Sequence, residues 1–199
     1  MASSPVHAKQ DPPVLIVVMG VSGCGKSTLG QALADALGLP FIDGDHLHPL
    51  ANIDKMAAGH PLDDTDRYPW LKLIRVKAED LSSTTEQGVV IACSALRRSY
   101  RDILRGKKDG EHSPPQTTSS PSDALPTFFV FLKGEEEVLR QRMEVRSGHF
   151  MKSSMLDSQL AILESPEGED GVAVVNIDDQ TEEQVRIACE GLCTFLHQI

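Results

Sequence analysis

At 199 residues and 40% hydrophobic content, the chain can bury one good core and is too short for two ordinary domains. A formal net charge of −10 argues against nucleic acid or an anionic membrane surface as partner, because both are gripped by clustered Lys and Arg. The cysteines Cys24, Cys93, Cys189 and Cys193 make no CxxC pair and have no histidine at metal-ligand spacing, so reduced thiols in a cytoplasmic protein are expected.

The opening segment MASSPVHAKQDPP is polar and proline-punctuated, which reads as neither a secretory signal nor an anchor, and residues 1–12 are expected to be disordered. Val14–Met19 (VLIVVM) is a continuous apolar run, the pattern of a parallel strand buried on both faces. After a glycine-rich turn, Ser27–Leu37 has helical spacing and stops at Gly38. Leu39–Asp43 reads as a short strand, and a helical stretch runs from His48 to Gly59. A long amphipathic helix follows from Thr65 to about Gln87, with Pro69 near its first turn, where a missing N–H is tolerated. Val89–Cys93 is a further strand, followed by a basic helix at Arg97–Arg105. Thr127–Leu132 and Val172–Ile177 are predicted strands, each followed by a helix, at Glu135–Arg146 and Glu182–His197. Strands alternating with helices predict a single doubly wound α/β domain over 1–199, with a five-stranded parallel sheet and helices on both faces. Residues 106–126 (GKKDGEHSPPQTTSSPSDALP) offer almost nothing to bury and are expected to form a low-complexity surface insertion.

Gly20-Val21-Ser22-Gly23-Cys24-Gly25-Lys26-Ser27 matches G-x-x-x-x-G-K-[ST], between a buried strand and a helix, the context that marks a phosphate-binding loop. The glycines allow successive N–H groups to turn inward and join a helix N-terminus around phosphate oxygens. Lys26 is placed to reach the β- and γ-phosphates of ATP and the Ser27 hydroxyl to ligate Mg²⁺, with Thr28 completing the nucleotide-binding set. Cys24 reads as a small spectator within a turn whose backbone does the binding. Asp43 and Asp45 stand at the carboxyl end of the second strand, the sheet edge where ligands bind, and in an extended run they point the same way. Asp43 can hold the magnesium hydration shell while Asp45 accepts a hydrogen bond, and a proton, from an acceptor hydroxyl. Alternatively, Asp43 caps the next helix through an Asx-type turn. His46 and His48 are expected to start a helix or lie at the surface.

DGDHLHPLANIDKMAAGHPLDDTDRYPW (Asp43–Trp70) resembles the distinctive block of the gluconokinase family, CSALRRSYRDILR (Cys93–Arg105) its second block, and RMEVRSGHFM (Arg142–Met151) its lid. With GVSGCGKS, the resemblance covers nearly the whole chain in order, apart from the termini and residues 106–126. It implies Mg-dependent transfer from ATP to gluconate, giving 6-phosphogluconate for the pentose phosphate pathway. It also implies a fold shared with shikimate kinase and the nucleoside monophosphate kinases, and often a homodimer. Arg67 then suits the gluconate carboxylate, since a guanidinium can grip it in a planar fork. The alternative for Arg67 is a surface salt bridge to Asp63 or Asp64. Ser94, Arg97 and Arg98 follow the third strand, with one arginine facing substrate and the other solvent. Arg142 and Arg146, four apart, share a helix face and can meet the phosphates from a lid over 142–156, unless they pair with Glu136 or Glu137. His149 in that lid touches substrate or only packs. No Asp ends the third strand, so the metal must rely on Ser27 and, through water, Asp43. A shikimate or nucleotide kinase would share the cradle and the lid, but CSALRR replaces the glycine-rich segment of a shikimate kinase. A guanine-reading NKxD element, which a nucleotide switch would want, is absent.

Overall fold

The apolar runs assemble into one sheet. The computed structural model describes residues 12–107, 125–146 and 151–199, with 145–146 and 151–154 by backbone alone. Its strands are β1 (Leu15–Met19), β2 (Phe41–Asp43), β3 (Val89–Ala92), β4 (Thr127–Lys133) and β5 (Val172–Asn176). They pair in the order β2-β3-β1-β4-β5, every pairing parallel, with Leu15 opposite Val89 on one side and Thr127 on the other. The helices are α1 (Lys26–Leu37), α2 (Leu50–Ala57), α3 (Asp64–Thr85), α4 (Arg98–Leu104), α5 (Glu136–Arg146), α6 (Met151–Leu160) and α7 (Thr181–Leu196). This is the doubly wound α/β class that the alternating pattern predicts.

Residues along β1 alternate between two cores. Ile16 and Val18 pack with Leu29 and Leu33 of α1 and Ala188 and Leu192 of α7. Leu15, Val17 and Met19 pack with Leu71 and Ile74 of α3 and Tyr100 and Leu104 of α4. Burial on both faces is why the run is unbroken by polar residues. Because β1 lies between β3 and β4, the connections after β1 and β3 leave towards opposite sides of the sheet. The carboxyl end of β1 is therefore the crevice where open α/β sheets bind ligands.

Two elements differ from expectation near that crevice. β2 is only three residues long, and the chain turns at once into a 3-10 turn over Gly44–Leu47. Gly44 lies against β3 so closely that a Cβ there would stand 2.4 Å from the Ala92 carbonyl oxygen, which demands glycine. α3 begins one residue earlier than predicted, at a capping box in which Asp63 accepts from the Asp66 N–H and Asp66 returns the bond. Pro69 consequently sits past the first turn, at an exposed position.

Two buried arginines tie the far side together. Arg101, fully buried, grips Glu169 through Nε at 3.1 Å and Nη2 at 2.6 Å and donates from Nη1 to the carbonyls of Ala95 and Leu96. Such bidentate pairs are specific in geometry, and removing one partner of a buried pair costs about 3–5 kcal/mol. Arg75 donates to the Leu104 and Leu125 carbonyls and to Thr127 Oγ1. It thus joins the two ends of the chain flanking the predicted insertion, most of which (108–124) lies outside the described residues. Among the described residues, no helix is long and apolar enough to cross a membrane.

Candidate active site

The loop between β1 and α1 has the backbone its glycines foretell. Gly20, Gly23 and Gly25 adopt φ of 146°, 79° and 104°, a region that side chains other than glycine's avoid. At Gly20 space forbids a side chain as well, since a Cβ would meet Cys24 Sγ at 2.8 Å and the Leu132 carbonyl oxygen at 3.1 Å. α1 starts on Gly25 with no side-chain cap, and its first turn carries no acidic residue, so its N–H groups face the loop unneutralised. Lys26 Nζ rests on the Val21 carbonyl at 2.9 Å. Cys24 is buried beneath the loop, where desolvation pushes its thiol pKa up, consistent with a spectator rather than a nucleophile.

Ser27 Oγ donates to Asp43 Oδ2 at 2.7 Å, while Asp43 Oδ1 accepts from the Asp45 N–H at 3.0 Å. Asp43 makes the Asx-type cap through one oxygen, while the other meets the loop serine. The 3-10 turn, not an extended strand, carries Asp45, and its exposed carboxylate reaches a cleft shared with Ser22 and Lys26. Among the described residues there is no cluster of three or more His, Cys, Asp or Glu side chains able to hold a metal. The oxygen pair Ser27–Asp43 fits a hard divalent cation that keeps waters and shares phosphate oxygens, as Mg²⁺ does.

Arg67 on α3 and Ser94 after β3 line the same cleft. Arg67 is 8% exposed and donates to Tyr100 Oη at 3.4 Å. Among the described residues it has no carboxylate partner: Asp63 pairs with Lys55, and Asp64 with Arg97 at 2.7 Å. Tyr100 Oη in turn donates to Asp64, and burial, then that bond, pushes its pKa up to about 12. Arg67 and Arg97 thus flank the Tyr100 ring, at 5.8 and 5.9 Å from its centroid. Arg98 points elsewhere: it is exposed, its N–H donates to Glu164 Oε2, and it borders a different groove with Arg101 and Arg105. The backbone turn after Ser94 is strained, with Ala95 at φ 44°, and Arg101 holds its carbonyl from below.

Arg142 is close enough to the loop to act on Cys24 electrostatically, and its guanidinium is tied to the chain after β5. Its Nη2 donates to the Ile177 carbonyl at 2.7 Å, with Asp178 at 3.7 Å, while α5 packs against the loop and a Cβ on Gly23 would strike Met143 Sδ. Glu136 pairs with Arg140 and not with Arg142. The Arg146 side chain and His149 lie outside the described residues. α6 contributes what the sequence reading missed: Met155, Ser158 and Gln159 line the cleft, and Gln159 Oε1 accepts from the Ser22 N–H at 2.6 Å. His48, expected at a helix start or at the surface, stands just before α2 but is turned inward, and Trp70 is a cleft residue that the sequence does not single out. His48 is buried, stacks on Trp70 and lines the cleft. Desolvation lowers its pKa, against the pull of Asp45.

A loop with this backbone beside a carboxylate and a buried arginine is the arrangement of a small-molecule phosphotransferase. The family model described as shikimate kinase matches residues 22–113. Over 190 residues the chain is 40% identical to a probable gluconokinase of Schizosaccharomyces pombe, covering 92% of each. Over 169 residues it is 40% identical to the thermoresistant gluconokinase of Escherichia coli, covering 84% of this chain and 87% of that one. The chain belongs to the gluconokinase family. A solved gluconokinase from Sinorhizobium meliloti 1021 matches with a TM-score of 0.76 at 46% identity, over 96% of this chain and 97% of that one. The shikimate kinase model ends at residue 113, before β4, whereas the gluconokinase structure extends over both halves of the sheet and the α5–α6 region. As a gluconokinase-family P-loop kinase, the chain uses a nucleotide and a small-molecule acceptor.

Proposed function

We propose that this chain transfers the γ-phosphate of ATP to D-gluconate, giving 6-phospho-D-gluconate for the pentose phosphate pathway. Arg67 carries the acceptor side of this reading: a buried guanidinium without a carboxylate partner among the described residues, opening onto the cleft that holds Lys26 and Asp45. An unpaired buried charge is costly, and an anionic ligand relieves that cost. A neutral sugar would leave it unrelieved.

The residues divide the work as follows. The loop from Gly20 to Thr28 wraps the phosphates with the N–H groups it has left, those of Gly20 and Ser22 being bonded to Ser94 and Gln159, and Lys26 leaves the Val21 carbonyl to reach the β- and γ-oxygens. Arg67 forks onto the acceptor carboxylate, oriented by Tyr100, which Asp64 and Arg97 fix in turn. Ser94 faces the acceptor's hydroxyls, and Asp45 accepts the hydrogen bond and the proton of the attacking one. Ser27 and Asp43 would hold Mg²⁺, which supplies charge neutralisation at the phosphate oxygens when bound. Arg142, released from Ile177, and Arg146 on the same helix would bring positive charge to the phosphates, with His149 closing the acceptor side.

An ADP-release assay over gluconate, glucose, shikimate and nucleosides tests the assignment. Turnover is expected with gluconate; brisk use of another alcohol with none of gluconate would overturn it. The shikimate arm matters because that family's model matches residues 22–113. Arg67→Lys should raise the KM for gluconate about 10- to 100-fold, the cost of losing a charged bidentate contact, with the KM for ATP nearly unchanged. The reverse pattern would move Arg67 to the nucleotide side.

Two further parts of the proposal concern state and place. A homodimer is supported by the outer face of α3, where Leu73 is 45% and Val76 50% exposed; a monomeric mass by sedimentation would refute it. The four free cysteines suit a reducing cytoplasm.

A further inference from the structure

His48 is held in the cleft by contacts that determine which of its nitrogens carries the proton. Its ring stacks on Trp70 with centroids 4.0 Å apart and planes 17° apart, and Trp70 is itself fixed by donating from Nε1 to the Gly44 carbonyl at 2.9 Å. Asn52 Nδ2 lies 3.1 Å from the Asp66 carbonyl oxygen, which can only accept, so the amide orientation is set. The same nitrogen is 3.3 Å from His48 Nδ1. Nδ1 is therefore the acceptor, and in the neutral ring the proton sits on Nε2. Nε2 is 4.0 Å from Asp45 Oδ1, too far for a direct hydrogen bond. One oxygen at about 2.8 Å from both atoms spans that gap.

We propose that His48 is a specificity-determining residue of the acceptor cleft, donating from Nε2–H to the same substrate hydroxyl whose proton Asp45 accepts. The proposal rests on the sugar-acid reading above and deepens it. A hydroxyl can accept from the ring and donate to the carboxylate at once. A carbonyl at that carbon would accept from His48 but turn a lone pair on Asp45, and a deoxy carbon would leave both groups unpaired. The pair therefore selects a hydroxyl at one position of the acceptor against its keto and deoxy analogues.

His48→Phe retains a flat ring for Trp70 and removes the N–H, whereas His48→Gln retains a donor near the Nε2 position. The KM for gluconate is expected to rise about tenfold in His48→Phe, with His48→Gln in between and the KM for ATP unchanged within about twofold. Keto and deoxy analogues at that carbon have no hydroxyl to phosphorylate, so discrimination against them is read as their inhibition constants relative to the KM for gluconate, and that gap should narrow in His48→Phe. Wild-type gluconate KM and discrimination in that variant would overturn the proposal. Should His48→Phe fail to fold, nitrogen-15 spectra of the wild-type ring decide: a proton on Nδ1 in place of Nε2 overturns it. Absence of gluconate turnover by the wild type would instead sink the function proposed above, so the two failures are distinguishable.

Discussion

Lys26→Ala is expected to lower turnover at least about 10²- to 10³-fold, the range seen when one preorganised donor to a developing negative charge is removed. The stability cost should be small. Lys26 is partly exposed, and its described bond is to the Val21 carbonyl of its own loop, a contact of about 1 kcal/mol. The loop conformation itself comes from Gly20, Gly23 and Gly25 and from the packing of Cys24 and Val21, none of which the substitution touches. ADP release together with a thermal melt makes the comparison. Near-normal turnover in a well-folded variant would refute the cradle assignment, and a collapsed melt would show that Lys26 holds the loop.

Asp45→Asn should lower kcat by about 10²- to 10⁴-fold, the usual span for a general base in proton transfer, while changing the KM for gluconate far less. The substitution is nearly isosteric at an exposed position on the Gly44–Leu47 turn. The Asp45 N–H to Asp43 bond that shapes the turn is a main-chain bond and survives. What is lost is the ability to take a proton. Steady-state constants with gluconate and ATP separate the outcomes. A kcat within a few-fold of wild type would remove Asp45 from the proton's path and leave it a binding group.

The two variants probe opposite ends of one cleft, and they differ in how legible their residues are. Lys26 belongs to an eight-residue motif whose geometry is local: glycines with positive φ, a strand before and a helix after, all within one βα unit. Asp45 stands at the carboxyl end of β2, as the sequence predicts, but on a turn that begins at Gly44 in place of the predicted extended run. That turn depends on the close approach to Ala92, nearly fifty residues further along the chain.

Period and composition, being properties of neighbouring residues, determined much by themselves. They contain the alternation of strands and helices, the parallel sheet with both faces covered, the phosphate loop, and the ordered blocks that resemble one kinase family. Tertiary structure alone separated two adjacent arginines, putting Arg97 on Asp64 beside Tyr100 and Arg98 on a different groove, since that depends on where α4 starts relative to Asp64 and Glu164. It alone buried His48 under Trp70, left Arg67 without a carboxylate, and brought Gln159 to Ser22 across 137 residues. The physical reason is that a side chain's burial and partners are set by whichever element packs over it, and no local window contains that element.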